Sequence, residues 1–166
     1  MNDEVRAGKK LLTVSTVEQL VQECLGAVHV LAIVGRCRSG KTWATKDWVA
    51  NRTDVLEHVA YVDCKGIGFK GAGVVTFDGV ERDLREGLYP KFALDGIDVV
   101  VVDEPCCNPV FVKALLSKTA PEAGASGHRL AILLVQDMRC LNELGLRPNQ
   151  ARCYSTAGLP IQFTNV

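Results

Sequence analysis

The sequence predicts an α/β fold with a mainly parallel sheet, and three observations carry that prediction. The apolar runs Val30–Val34, Val99–Val102 and Leu130–Val135 are continuous rather than alternating, the pattern of strands buried on both faces. The stretches between them carry apolar residues at helical spacing. The first run passes directly into Gly35-Arg36-Cys37-Arg38-Ser39-Gly40-Lys41-Thr42, which has the form G-x-x-x-x-G-K-[ST], and then into a segment able to form a helix.

In chain order, Ser15-Thr16-Val17-Glu18 has the form of a capping box, and Val17, Leu20, Val21, Cys24 and Leu25 continue it at helical spacing until Gly26. His29 leads into the first strand and takes no role. In the loop that follows, glycines let the backbone curl with its N–H groups inward, so a phosphate chain can rest on them at the positive end of the next helix. Lys41 is expected to reach the β- and γ-phosphates, and the Thr42 hydroxyl to complete a magnesium shell. Cys37 lies inside the loop, where alkylation blocks nucleotide. The helix from Lys41 to about Ala50 draws apolar bulk from Trp43, Ala44, Trp48 and Val49. Both tryptophans read as packing residues, with Trp43 a fluorescence reporter of nucleotide rather than a stacking partner for a base.

His58–Asp63 is the second strand, and Cys64–Gly73 a glycine-rich connection. Lys65 and Lys70 flank Phe69 there, a pattern that suits a phosphate or nucleic-acid contact or a solvated loop. Asp78 and Glu81 open a further helix through Val80, Leu84 and Leu88, stopped at Tyr89-Pro90.

The strand from Ile97 ends in two carboxylates, Asp103 and Glu104. Asp103, at the tip beside the phosphate loop, is placed to hold magnesium through its water shell. Glu104, pointing the other way along a pleated strand, is placed to polarise an attacking water as general base. Asn108-Pro109 supplies an N-cap and first helical residue, with Val110, Ala114 and Leu115 on one face and Val112 and Leu116 near another. Pro121–Gly127 is a loop. Arg129–Val135 is the fourth core strand, and Gln136 after it can sense a γ-phosphate, because an amide binds both a phosphate oxygen and the lytic water. Met138–Leu144 is a short helix stopped by Gly145, and 151–166 forms a terminal strand or hairpin.

The 166 residues make one domain: a helical extension at 1–28, a core at 29–150 and the terminal segment. Lys+Arg and Asp+Glu both total 19, so no net charge draws the chain to nucleic acid or an anionic membrane. No apolar run approaches a membrane span, and Met1-Asn2-Asp3-Glu4 lacks the basic-then-apolar order of a secretory signal. A cytoplasmic protein without membrane insertion is expected. Cys24, Cys37, Cys64, Cys106, Cys107, Cys140 and Cys153 show no C-x-x-C spacing, so reduced thiols are expected, with Cys106 and Cys107 as small semi-buried residues.

Gly35–Thr42, Val99–Glu104 and Leu130–Gln136 together resemble the P-loop NTPases of the additional-strand, catalytic-glutamate division, to which RecA-like and AAA+ ATPases belong. The resemblance implies a three-layer α/β/α core in which the sensor strand lies between the phosphate-loop strand and the Walker B strand, with helices on both faces. Small plasmid- and phage-encoded ATPases share this compact look. The chain departs from relatives in the division by lacking a leading glycine triplet and a C-terminal helical lid. It also has no ABC signature and no N-K-x-D tetrad for guanine.

The function expected is ATP hydrolysis with Mg2+, coupled to a DNA or protein partner. Gly35, Arg36, Cys37, Arg38, Ser39, Gly40, Lys41 and Thr42 bind phosphate, Thr42 and Asp103 serve the metal, and Glu104, Lys41 and Gln136 serve catalysis. Two alternatives stand beside it: a nucleotide or small-molecule kinase using the same loop, and a nucleotide-gated interaction module with little turnover. The leaving γ-phosphate needs further positive charge, from Arg36 or Arg38 in cis or from Arg139, Arg147 or Arg152 of a neighbouring subunit in a homo-oligomer.

Overall fold

The structure is a computed structural model that describes residues 11–51, 59–64, 73–77, 80–84, 98–119 and 129–164, the strands at 73–77 and 80–84 by their backbone alone. In chain order the elements are α1 (Val14–Cys24), β1 (Val30–Val34), α2 (Lys41–Asn51), β2 (Val59–Asp63), β3 (Gly73–Phe77) and β4 (Val80–Leu84). They continue with β5 (Val99–Asp103), a 3₁₀ turn (Pro105–Cys107), α3 (Pro109–Leu116), β6 (Leu130–Val135), α4 (Arg139–Glu143), β7 (Ala151–Ser155) and β8 (Pro160–Ile161).

One eight-stranded sheet runs in the order β4-β3-β2-β5-β6-β1-β7-β8. The pairs β2–β5, β5–β6, β6–β1 and β1–β7 are parallel, and antiparallel hairpins finish both edges. β6 therefore lies between β1, the strand that leads into Gly35–Thr42, and the carboxylate-bearing strand β5.

Strand pleating divides the core in two. Val30 and Ala32 of β1, Val100 and Val102 of β5, and Ala131, Leu133 and Val135 of β6 pack with Phe111, Val112 and Leu115 of α3 and Leu141 of α4. Leu31, Ile33, Val99, Val101, Leu130, Ile132 and Leu134 pack instead with Val17, Leu20, Val21 and Cys24 of α1 and Ala44, Trp48 and Val49 of α2. Each such Leu or Ile contributes about 1.5–3 kcal/mol through burial, enough to override weak local propensities. α1 and β7, which flank the expected 29–150 core, contribute to the same clusters through Val17, Cys153 and Tyr154.

Several local expectations are corrected. The first helix is capped by Thr13, whose side chain accepts from the Thr16 N–H at 3.2 Å, rather than by Ser15. Just before this cap the Leu12 N–H donates to Ser39 O at 2.9 Å, and Thr13 offers the same hydroxyl cap two residues ahead of Ser15. Residues 80–84, expected in a helix begun at Asp78, form β4, paired antiparallel with β3. Asp78-Gly79 between two strand-forming runs is a two-residue hairpin signal, and it outweighs the helical spacing of Val80 and Leu84. In α3 the Asn108 cap holds, its Oδ1 accepting from Phe111 N at 3.3 Å, but the buried residues are Phe111, Val112 and Leu115 while Val110 is exposed. Trp48 is buried as expected, with an indole N–H that has no partner among the described residues. Trp43 is 68% exposed and is no packing residue. The Lys65, Phe69 and Lys70 cluster, the helix stop at Tyr89-Pro90 and the Pro121–Gly127 loop lie outside the described residues.

Candidate active site

The carboxyl-terminal ends of β1, β6 and β5 come together by register. Val34 pairs with Val135, and Asp103 with Leu134. The ladder runs one residue further, with Gly35 N donating to Val135 O at 3.0 Å and Glu104 N to Leu134 O at 3.3 Å. Gly35, Glu104 and Gln136 thus leave the sheet on one edge, where ligands of open α/β sheets bind.

The loop from Gly35 is shaped by two residues in the left-handed region, Arg38 at φ 65° and Gly40 at φ 82°. Gly35 is needed for a different reason. A Cβ there would lie 2.6 Å from Thr156 Cγ2 and 2.8 Å from Ser39 Oγ. Arg36, Cys37 and Arg38 are exposed and Ser39 is buried. Lys41 curls back over the loop, its Nζ donating to the carbonyls of Gly35 and, at 2.9 Å, Arg36, and to Ser39 Oγ at 3.1 Å. Burial pushes the Lys41 ammonium below the ordinary lysine range, while Asp103, Glu104 and Cys37 pull the other way.

Asp103 follows the parity of Val99 and Val101 and so faces α2. Thr42, the second residue of α2, donates through Oγ1 to Asp103 Oδ2 at 2.6 Å. The same oxygen accepts from the Tyr61 hydroxyl, whose own ionisation is pushed far up by burial and by this bond. Tyr61 was missed as a site residue. Its one sequence signal is a tyrosine in the middle of a buried strand, where the hydroxyl must find a partner. The ammonium of Lys46 sits 5.1 Å over the Tyr61 ring and braces it.

Glu104 is not in the strand. It adopts φ 54°, ψ 55° as the chain turns into Pro105–Cys107, and its Oε1 accepts from Gln136 Nε2 at 3.2 Å. A non-glycine residue held in this region is a strained conformation of the kind that collects at functional sites. A cavity of about 230 Å³ is lined by Lys41, Thr42, Asp103, Glu104 and Gln136 together with Cys37–Gly40 and Trp43. The structure therefore gathers the expected site residues at one place, with Gly35 and Arg36 present through the carbonyls that hold Lys41.

The remaining arginines are dispersed. Arg139 pairs with Asp137 at 2.9 Å and lines a second cavity, of about 480 Å³, that also meets Glu104 and Gln136. Arg152 pairs in register with Leu31 near the start of β1 and donates to Glu23 O at 3.3 Å, toward the far end of the sheet from the site. Arg147 is exposed.

The expectation of reduced thiols is corrected at one pair. Cys106 and Cys140 form a disulfide with Cα atoms 6.0 Å apart, joining the turn after Glu104 to α4 after Gln136. Cys107 is exposed and free, as is Cys37, while Cys24, Cys64 and Cys153 are free and buried. Burial pushes the Cys64 thiol up to about 12 and Cys153 to about 11, so these two stay protonated packing residues.

Among the described residues no group of three or more His, Cys, Asp and Glu could hold a metal ion by itself, and no helix is long and apolar enough to cross a membrane. No protein-family model, curated protein or solved structure matches the chain.

Proposed function

We propose that the chain is a magnesium-dependent ATPase of the P-loop NTPase class. The observation that carries this reading is the 2.6 Å hydrogen bond from Thr42 to Asp103, at the mouth of a loop whose lysine is held on loop carbonyls. Thr42 would supply a hard oxygen ligand to the ion and Asp103 would hold it through its water shell, and two such groups are too few to retain it alone. Such a set fits Mg2+, which keeps several waters and takes its other ligands from substrate phosphates. When bound, the ion neutralises charge on the β- and γ-phosphates.

The triphosphate enters the cavity over the loop N–H groups. Lys41 exchanges two neutral carbonyls for phosphate oxygens, a stronger charge-assisted bond. Tyr61 and Thr42 together fix the Asp103 carboxylate. Glu104 takes the proton from the attacking water, and Gln136 holds the Glu104 carboxylate while its amide reaches the γ-phosphate. Further positive charge comes from Arg36 or Arg38 in cis, or from a neighbouring subunit of a homo-oligomer. Of the three later arginines, Arg139 lines a cavity of its own protomer that meets Glu104 and Gln136, so it is placed to act in cis. Turnover of this kind drives work on a DNA or protein partner.

That same 480 Å³ cavity favours one second reading, phosphoryl transfer to a small acceptor bound beside Glu104. Phosphate release from Mg-ATP, measured together with a screen for phosphorylated products, separates the two. Hydrolysis that disappears in a folded Lys41→Ala variant supports the ATPase; a phosphorylated product without free phosphate supports the kinase. Unchanged turnover in Lys41→Ala refutes both.

A further inference from the structure

Beside the phosphate cavity lies a cleft of about 600 Å³ lined by residues 11–15 together with Arg38, Gly40 and Trp43. It shares Arg38, Gly40 and Trp43 with the phosphate cavity, so the two adjoin along these residues. The large apolar side chains exposed among the described residues are Leu11, Trp43, Val110 and Leu159, and the first two converge on this one cleft. Val14 and Leu12 complete the apolar wall.

The wall is fixed to the phosphate loop. Leu12 is 2% exposed and its N–H donates to Ser39 O at 2.9 Å. A Cβ on Gly40 would approach Leu12 O to 3.3 Å and Leu11 Cβ to 3.5 Å, a tight contact at a residue whose φ of 82° already favours glycine. Leu11 therefore keeps its place relative to Lys41 and Thr42, and the cleft is built before any ligand arrives.

We propose that this cleft holds the purine base of the bound nucleotide, with the Trp43 indole as its stacking face and Leu11 and Val14 in the apolar lining. The inference rests on the phosphate-loop reading above. Trp43 directly follows Thr42 and lines both cavities, so the base of a triphosphate seated on Gly40–Thr42 would be within reach of its indole. The indole and the aliphatic wall together suit a flat, two-ring aromatic group, and a one-ring pyrimidine covers less of the indole. Base-on-aromatic stacking is sequence-tolerant, so both purines bind and the preference between them is small.

The test compares nucleotides with inorganic tripolyphosphate, which has the phosphates and no base, by calorimetry on the full chain with magnesium. Trp43 and Leu11 are exposed, so Trp43→Ala and Leu11→Asn leave the core untouched. ATP and GTP are expected to weaken by about five- to 150-fold in Trp43→Ala, and tripolyphosphate by less than about twofold, with Trp43→Phe restoring most of the loss. Leu11→Asn follows the same pattern, whereas the carboxylate of Leu11→Asp repels tripolyphosphate too and weakens ATP further. Equal weakening of ATP and tripolyphosphate would mean that Trp43 only shapes the loop, and would overturn the proposal. So would parental ATP affinity in both variants, or CTP binding as tightly as ATP. A parent that binds tripolyphosphate as well as it binds ATP removes the base site and leaves the phosphate loop standing; a parent that binds neither removes both. Trp43 emission that shifts to the blue with protein concentration, without ligand, assigns the cleft to a second copy of the chain and likewise overturns the proposal.

Discussion

Thr42 and Asp103 stand 61 residues apart in the chain, yet the Thr42 hydroxyl lies 2.6 Å from the Asp103 carboxylate. Sheet register and strand parity make this contact. β5 runs two strands from β1, and Asp103 follows Val99 and Val101 onto the face covered by α2. Because Tyr61 donates to the same oxygen, three elements fix one carboxylate. Thr42→Ala and Asp103→Asn are expected to raise the magnesium concentration needed for half-maximal turnover. Tyr61→Phe, which removes only the orienting hydroxyl, should raise it by about 10- to 100-fold, the range for groups that orient a metal ligand. Magnesium titration of phosphate release checks this, and superimposable titrations for Tyr61→Phe and parent would remove Tyr61 from the site.

Gly35 is confined by its neighbours rather than by its dihedrals. Gly35→Ala sets a methyl group 2.6 Å from Thr156 Cγ2 and 2.8 Å from Ser39 Oγ, so stability should fall by about 1–3 kcal/mol as the loop moves, and ATP affinity should fall with it. Thr156→Ser removes the nearer atom. Chemical denaturation of Gly35→Ala with and without Thr156→Ser should show partial recovery in the double variant, and simple additivity would contradict the clash.

The strand–loop–helix at 30–51 and the strand ending at Asp103 were legible because their signals are local: continuous apolar runs and a motif whose spacing is itself the chemistry. The rest depends on contacts far apart in sequence. Trp43 and Trp48 look alike in a helical pattern, and only the docking of α2 decides that one is buried and the other faces a cleft. Val80, Glu81 and Leu84 satisfy a helical spacing, and pairing with β3 overrules it. Tyr61 becomes a site residue only through Asp103, 42 residues away. Cys106 and Cys140 meet because the turn after β5 and the helix after β6 leave adjacent strands.

The disulfide closes a loop with a sequence separation of 34. In the chain-entropy account a loop of that size contributes about 4 kcal/mol. Reduction, or Cys106→Ser with Cys140→Ser, should therefore lower the thermal midpoint by several degrees. Unfolded in denaturant without reductant, the chain should titrate with five free thiols, and seven with an unchanged midpoint on reduction would contradict the bridge.

Lys41 has its ammonium disfavoured by burial, so its folded pKa lies below the unfolded value of 10.5. The destabilisation from burying that charge is present at lower pH and is relieved as pH rises through the folded pKa toward 10.5. Phosphates favour the charged form, so binding takes up a proton in that window. ATP affinity should fall with rising pH below the ordinary lysine range, measured in a Cys37→Ser background so that no thiol sits in the loop. Affinity that stays flat until ordinary lysines deprotonate would contradict this.

The ATPase reading meets its most direct test in Glu104→Gln, which keeps the side chain's size and its place beside Gln136 while losing the base. Binding of Mg-ATP and single-turnover phosphate release are measured on the same preparation. The expected result is parental affinity with hydrolysis reduced by a factor on the order of 10² or more. Hydrolysis at the parental rate by the folded variant would contradict the role of Glu104, and with it the proposed mechanism.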